Sequence, residues 1–196
     1  MSNISRRDFL KTAGVMTLAV AAAGVLAGCE GNANVPAPDA GETEVTTNSV
    51  SHTGLYGDKL TIESLGRFDA YANADAKDLD ASQILLKVTY TKPGLETPAN
   101  ISEVSFAYAN GTAVTLGNTD GLNKAVVAHT GVKTVENGVQ AVMDKAADNL
   151  KGEGYLLVPM KKVESNTLNV KLTFTGADKV QKTVVVQLAS ETKKVF

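Results

Sequence analysis

The sequence predicts an all-β fold, a two-sheet β-sandwich that carries one short α-helix. Three observations lead there. Apolar residues recur with period two in several stretches beyond residue 55, the spacing that lines one face of a half-buried strand. Gly, Asn and Asp punctuate those stretches as turn formers do. No stretch alternates strand-like and helix-like segments in the manner of parallel sheets.

Lys59–Leu65 is the first strand candidate. Ile84, Leu86, Val88 and Tyr90 then alternate with Leu85, Lys87 and Thr89. A hairpin follows around Asn110-Gly111. A two-residue loop would set Ala107 opposite Val114 and put apolar residues on the wrong face. A three-residue loop, Ala109-Asn110-Gly111 with Gly111 left-handed, sets Phe106 across from Val114 and Val104 across from Leu116. Val139, Val142, Met143, Ala146 and Leu150 recur at helical spacing, with Asp144, Lys145 and Asp148 facing away. Asn137 is the candidate cap and Gly152 the stop. Val132 to Val142 also fits a hairpin about Asn137-Gly138, but Gln140 to Leu150 has good helix formers and neither Pro nor Gly, which favours a helix over about 138–150. Tyr155–Met160 is a further short strand. Leu168, Val170, Leu172 and Phe174, the turn Thr175-Gly176-Ala177-Asp178, and Val184, Val186 and Leu188 form a C-terminal hairpin. The class is an immunoglobulin-like β-sandwich with the helix in a crossover. A closed barrel is the alternative, and no internal repeat is present.

The first 28 residues are expected to lie outside the folded domain. Ser5-Arg6-Arg7-Asp8-Phe9-Leu10-Lys11 resembles the twin-arginine export motif at each position of its S-R-R-x-F-L-K form. Thr12 to Gly28 is weakly apolar and suits a signal-peptide core better than a spanning helix. It ends in Leu26-Ala27-Gly28-Cys29, which resembles a bacterial lipobox. The resemblance implies cleavage before Cys29 and lipid on its thiol, in an extracytoplasmic protein anchored to a cell membrane. Residues 29–54 are rich in Gly, Asn, Pro, Thr, Ser and Glu without an apolar period, and are expected to form a flexible tether, stiffer at Pro36-Ala37-Pro38. The folded domain is expected over 55–196.

The strand Gln83–Thr91, the run Leu150-Lys151-Gly152-Glu153-Gly154-Tyr155-Leu156-Leu157-Val158-Pro159 and the hairpin from Leu168 to Leu188 together resemble the telokin-like immunoglobulin-type domains of bacterial lipoproteins. The resemblance covers about two thirds of the chain beyond Cys29 and implies fold rather than activity. The helical segment before Leu150 departs from it.

Composition narrows the chemistry. The chain carries a formal charge of −2; Arg6, Arg7 and Lys11 against Asp8 give the first 28 residues +2, which leaves −4 for the rest. A mildly acidic domain lacks the basic footprint of a nucleic-acid binder. Cys29 is the only cysteine, so intramolecular disulfides and thiolate metal sites are excluded, and Trp is absent. Neither His52, expected in the tether, nor His129, expected at a strand end facing solvent, has a partner at metal-ligand spacing. Asp75, Asp78 and Asp80 are the densest carboxylates, weak candidates for a hard cation that read better as a solvated turn. Asn118-Thr119-Asp120-Gly121 reads as a turn. Glu63, Glu96, Glu103, Glu136 and Glu164 are scattered. Met143 and Met160 suit core packing, and Tyr71, Tyr90, Tyr108 and Tyr155 suit core or sheet-face positions. No nucleophile elbow, P-loop or dinucleotide fingerprint is present. The sequence thus predicts a non-enzymatic interaction module, with no cofactor and with another envelope protein as partner. The alternative is a small-ligand or metal-binding accessory of an exported redox system.

Overall fold

Strands form where period-two alternation places them, and three more short ones form where it is nearly hidden. The computed structural model describes residues 41–70, 82–160 and 165–195. Its elements are β1 (Glu42–Val45), β2 (Ser49–Thr53), β3 (Lys59–Ala70), β4 (Gln83–Thr91), β5 (Ile101–Tyr108), α1 (Lys124–Thr130), α2 (Val139–Asp144), α3 (Ala146–Asn149), β6 (Lys151–Pro159), β7 (Thr167–Thr175), β8 (Gln181–Ala189) and β9 (Thr192–Val195). One sheet runs β1-β2-β3-β4-β6, and the second runs β5-β7-β8. All pairings are antiparallel except that of β9, which lies parallel to β3. The fold is an all-β sandwich, as expected. The central strands β3-β4-β6 and β5-β7-β8 follow the order of the A-B-E and C-F-G strands of an immunoglobulin-type sandwich. The helices occupy the β5-to-β6 crossover, where that fold has a fourth strand.

Ile84, Leu86, Val88 and Tyr90 on β4 meet Leu168, Val170, Leu172 and Phe174 on β7 in one core between the sheets, joined by Leu156 and Val158 of β6. Leu85, the alternate residue on β4, is equally buried. It packs on the other face of the sheet with Phe68, Leu157 and Val126 of α1. A two-faced central strand reads as a near-continuous apolar run. The C-terminal hairpin takes the expected register, Leu168↔Leu188, Val170↔Val186 and Leu172↔Val184. The Asn110-Gly111 turn also has the expected three-residue loop. Ala107 bridges Ala113, Val114 N–H donates to Phe106 O at 2.9 Å, and Gly111 is left-handed at φ 85°. Its second arm is a single bridge rather than a strand.

Three expectations are corrected. The tether over 29–54 gives way to structure from residue 42, since β1 pairs with β2 and β2 with β3, Val50 opposite Ile62 and His52 opposite Leu60. Only Val50 and His52 turn fully inward along β2, too few for an apolar period to show. The helix over 138–150 is interrupted at Lys145 and divides into α2 and α3. Gly138, not Asn137, occupies its N-cap, without a side-chain bond, and Leu150 ends it in the left-handed region at φ 59°. Leu150 is consequently exposed rather than buried. Third, His129 stands in the last turn of α1, not at a strand end. Asn123 caps this helix by accepting from Ala125 N–H at 2.8 Å, and Gly131 stops it at φ 74°. The β-branched Val126, Val127 and Thr130 mask so short a helix in the sequence.

Candidate functional site

Four turns gather at one end of the sandwich: residues 54–58 between β2 and β3, 92–100 between β4 and β5, 150 between α3 and β6, and 176–180 between β7 and β8. Beneath them lies a buried polar cluster. His52 on β2 is fully buried. Its ring stacks on Phe174 of β7, centroids 4.4 Å apart. Its Nδ1 lies 3.0 Å from Thr43 Oγ1, and its Nε2 lies 3.4 Å from Asn100 Nδ2. Asp58, just ahead of β3, accepts at Oδ2 from Tyr90 O–H (3.1 Å) and from Asn100 N–H (3.0 Å). Its buried Oδ1 has no hydrogen-bonding partner among the described residues. That oxygen faces Gly54, where an added Cβ would lie only 2.1 Å away. Burial, with the Asp58 charge beside it, raises the Tyr90 phenol far above its ordinary range. Burial lowers the His52 imidazole below 6.5, against an upward pull from Asp58. Asp58, Tyr90 and Asn100 are buried as well, so a substrate meets none of these groups unless the end opens. The cluster ties β2, β3, β4 and β5 together and fixes the turns above it.

The turns themselves are apolar at their tips. Leu55, Tyr56, Leu95, Leu150 and Val180 are five of the six exposed large hydrophobic residues in the described chain, Tyr56 being 58% exposed. Lys92 steadies the longest turn through Nζ–H to Leu95 O (2.6 Å) and its own N–H to Leu150 O (2.8 Å). The sixth exposed residue, Val185, lies along β8.

The chain matches no family model, no curated protein and no solved structure.

Ser5, Arg6, Arg7, Phe9, Leu10, Lys11, the run Leu26 to Cys29, Tyr71, Asp75, Asp78, Asp80 and Glu164 lie outside the described residues. Among the described residues no three His, Cys, Asp or Glu side chains converge on a metal position. No described helix is long and apolar enough to cross a membrane. His129 is exposed, its ring edge-on to Phe68 at 5.6 Å. Asn118 caps a 3₁₀ turn over Thr119–Gly121, accepting from Gly121 N–H. Glu136 pairs with Lys145 at 2.6 Å. Met143 and Met160 are core residues, and Tyr108 O–H donates to Pro159 O. The sequence reading missed the His52–Asp58–Asn100 cluster. Polar residues from three separate turns and strands carry no local spacing that would announce it.

A second, polar region lies toward the opposite end, where a bulge between Ser64 and Gly66 shifts β3 from β2 to β9. A cleft of about 540 Å³ opens there between Thr47, Ser64, Ser190, Glu191 and Lys193. Its two serine hydroxyls bond to each other, and Lys193 Nζ donates to Leu65 O, so these three side chains are already engaged. Behind it, buried Arg67 pairs with Asp69 at 2.9 Å and reaches Ser165 O and Asn166 Oδ1, a tie between β3 and the approach to β7.

Proposed function

We propose that this chain is a non-enzymatic interaction module, exported by the twin-arginine route and held at an extracytoplasmic membrane surface by lipid on Cys29, which receives an extended segment of another envelope protein along β8. The supporting observation is the edge of the second sheet. Gly176 N–H donates to Val180 O, and the register continues as Thr175↔Gln181. Hydrogen-bonded and non-bonded pairs alternate along an antiparallel ladder, so Gln181, Thr183, Val185, Gln187 and Ala189 turn their backbone groups away from β7. Ala189 N–H meets Thr47 O at 2.9 Å; the other four have no such partner among the described residues. By contrast β6, at the edge of the first sheet, is covered by Gly117 N–H on Leu157 O and Glu136 N–H on Tyr155 O. An edge left open from Gln181 to Gln187, in a strand without Pro or bulge, is suited to strand addition.

Crosslinking from native membranes, with the lipidated chain as bait, tests this. Val185→Pro removes an outward N–H and leaves the β7 ladder bonded. A partner captured by the unaltered chain and by Lys171→Ala, but lost with Val185→Pro at unchanged circular dichroism, is the expected result. Equal capture by Val185→Pro overturns the edge as the contact.

A further inference from the structure

We infer that the turn-bearing end of the sandwich is a membrane-contact surface, with Leu55, Tyr56, Leu95, Leu150 and Val180 resting in the lipid interface. The inference rests on the proposed lipid at Cys29, and it adds a second, non-covalent contact and a fixed orientation to that anchor.

Where the chain enters the fold is the first argument. Gly41 sits beside Thr53 and Gly54, and Glu42 opposes Thr53, so the path back to Cys29 leaves from this end. Eleven residues lie between Cys29 and Gly41, and the twelve steps at ~3.3–3.6 Å each reach at most about 43 Å. β4 alone, nine residues long, spans about 30 Å. For the opposite end to face the bilayer, most of that reach would be used running back along the domain. The end beside Gly41 meets the lipid without that requirement.

Composition is the second argument. Exposed apolar side chains scattered singly are ordinary, whereas their concentration on one face marks a contact surface. Here five of six occupy the turns of one end. They include a tyrosine, the residue type that settles at headgroup level with its ring in lipid and its hydroxyl in water. Lys59, Lys92, Lys151, Lys179 and Lys182 stand at the same strand ends beside Glu42, Asp58, Glu96, Asp144, Asp148 and Asp178, so the rim around the apolar tips is mixed in charge.

Rigidity is the third. Apolar tips contribute to binding when they need no reordering on contact. The Asp58–Tyr90–Asn100 cluster and Lys92 fix the turns from beneath, and Thr175 N–H donates to Asn100 O at 3.0 Å, joining the fourth turn to the second.

The chain contains no tryptophan, so one introduced residue reports without background. The lipidated full chain, as Tyr56→Trp or as Thr46→Trp on the β1–β2 turn at the opposite end, is placed in phosphatidylcholine and phosphatidylglycerol vesicles with and without brominated acyl chains. Val180→Trp serves as a second probe of the apolar end should Tyr56→Trp not fold. Loss of fluorescence in Tyr56→Trp but not in Thr46→Trp, with a blue shift on vesicle binding, is the expected result. Protein bound to vesicles through a Cys29 lipid confirmed by mass, yet with neither probe quenched, overturns the membrane contact and leaves the anchor in place. Equal quenching of both probes overturns the orientation. A Cys29 that carries no lipid overturns the anchor and this inference together.

Discussion

His52 illustrates how one residue acquires its role from its surroundings. In the sequence it lies in a polar run; in the fold it is sealed between Phe174, Thr43 and Asn100. Burial disfavours the imidazolium, so its folded pKa lies below the 6.5 of the free side chain. As pH falls through 6.5 the unfolded chain takes up the proton first. The contribution of His52 to stability is therefore complete above about 6.5 and is lost as pH falls toward the folded value. Thermal unfolding of the native chain is expected to move to lower temperature below about pH 6.5, whereas His52→Asn, less stable at neutral pH, loses this part of the pH dependence. Parallel Tm–pH curves for the two proteins would show that His52 does not carry it. Gly54 is constrained by the same cluster, because only a residue without Cβ clears Asp58 Oδ1.

At the scale of elements, the helical crossover is seated on β6 through a glycine. A Cβ at Gly152 would lie 1.8 Å from the Val142 carbonyl oxygen, inside the backbone of α2. The close approach lets Val139, Val142, Met143 and Ala146 reach the core between the sheets. Gly138 offers the contrast, since nothing stands within 4 Å of its Cβ position. Gly152→Ala is expected to destabilise by about 1–3 kcal/mol, as overpacking does, while Gly138→Ala changes stability by under about 0.5 kcal/mol. Urea unfolding of the two variants measures both. Equal effects would mean that α2 shifts away without loss. The same element explains why Gly152, expected as a helix stop, is a strand residue. Leu150 turns left-handed two residues earlier and ends the helix itself.

The whole molecule depends on the strands that the sequence hides. β2 lies along β3, and Val50 and His52 belong to the buried interior. A chain beginning at residue 55 loses both strands, uncovers the side of Leu60 and Ile62, and removes the cap over Phe174. It is expected to unfold at markedly lower temperature than one beginning at residue 41, or without a cooperative transition. Differential scanning calorimetry of the two chains checks this, and matching transitions would show that β1 and β2 are peripheral. The membrane contact inferred above belongs to this scale too, because no single turn supplies it. Four turns, distant in sequence, meet at the end where the chain enters.

The sequence by itself determined the sandwich, the C-terminal hairpin, the loop and register at Asn110-Gly111, and the resemblance to an export motif and lipobox. These are local patterns in which neighbouring residues carry the whole signal: alternation, turn chemistry or a short motif. Tertiary structure alone decided the rest. The short strands β1 and β2 have too few inward positions to show a period. The seven-residue helix α1 has β-branched residues that local preference assigns elsewhere. The His52–Asp58–Asn100 cluster forms from groups far apart along the chain, because buried polar atoms must find partners wherever the fold supplies them. The apolar end is the same kind of property, since exposure is decided by which turns the sheets bring together and not by any one turn's composition.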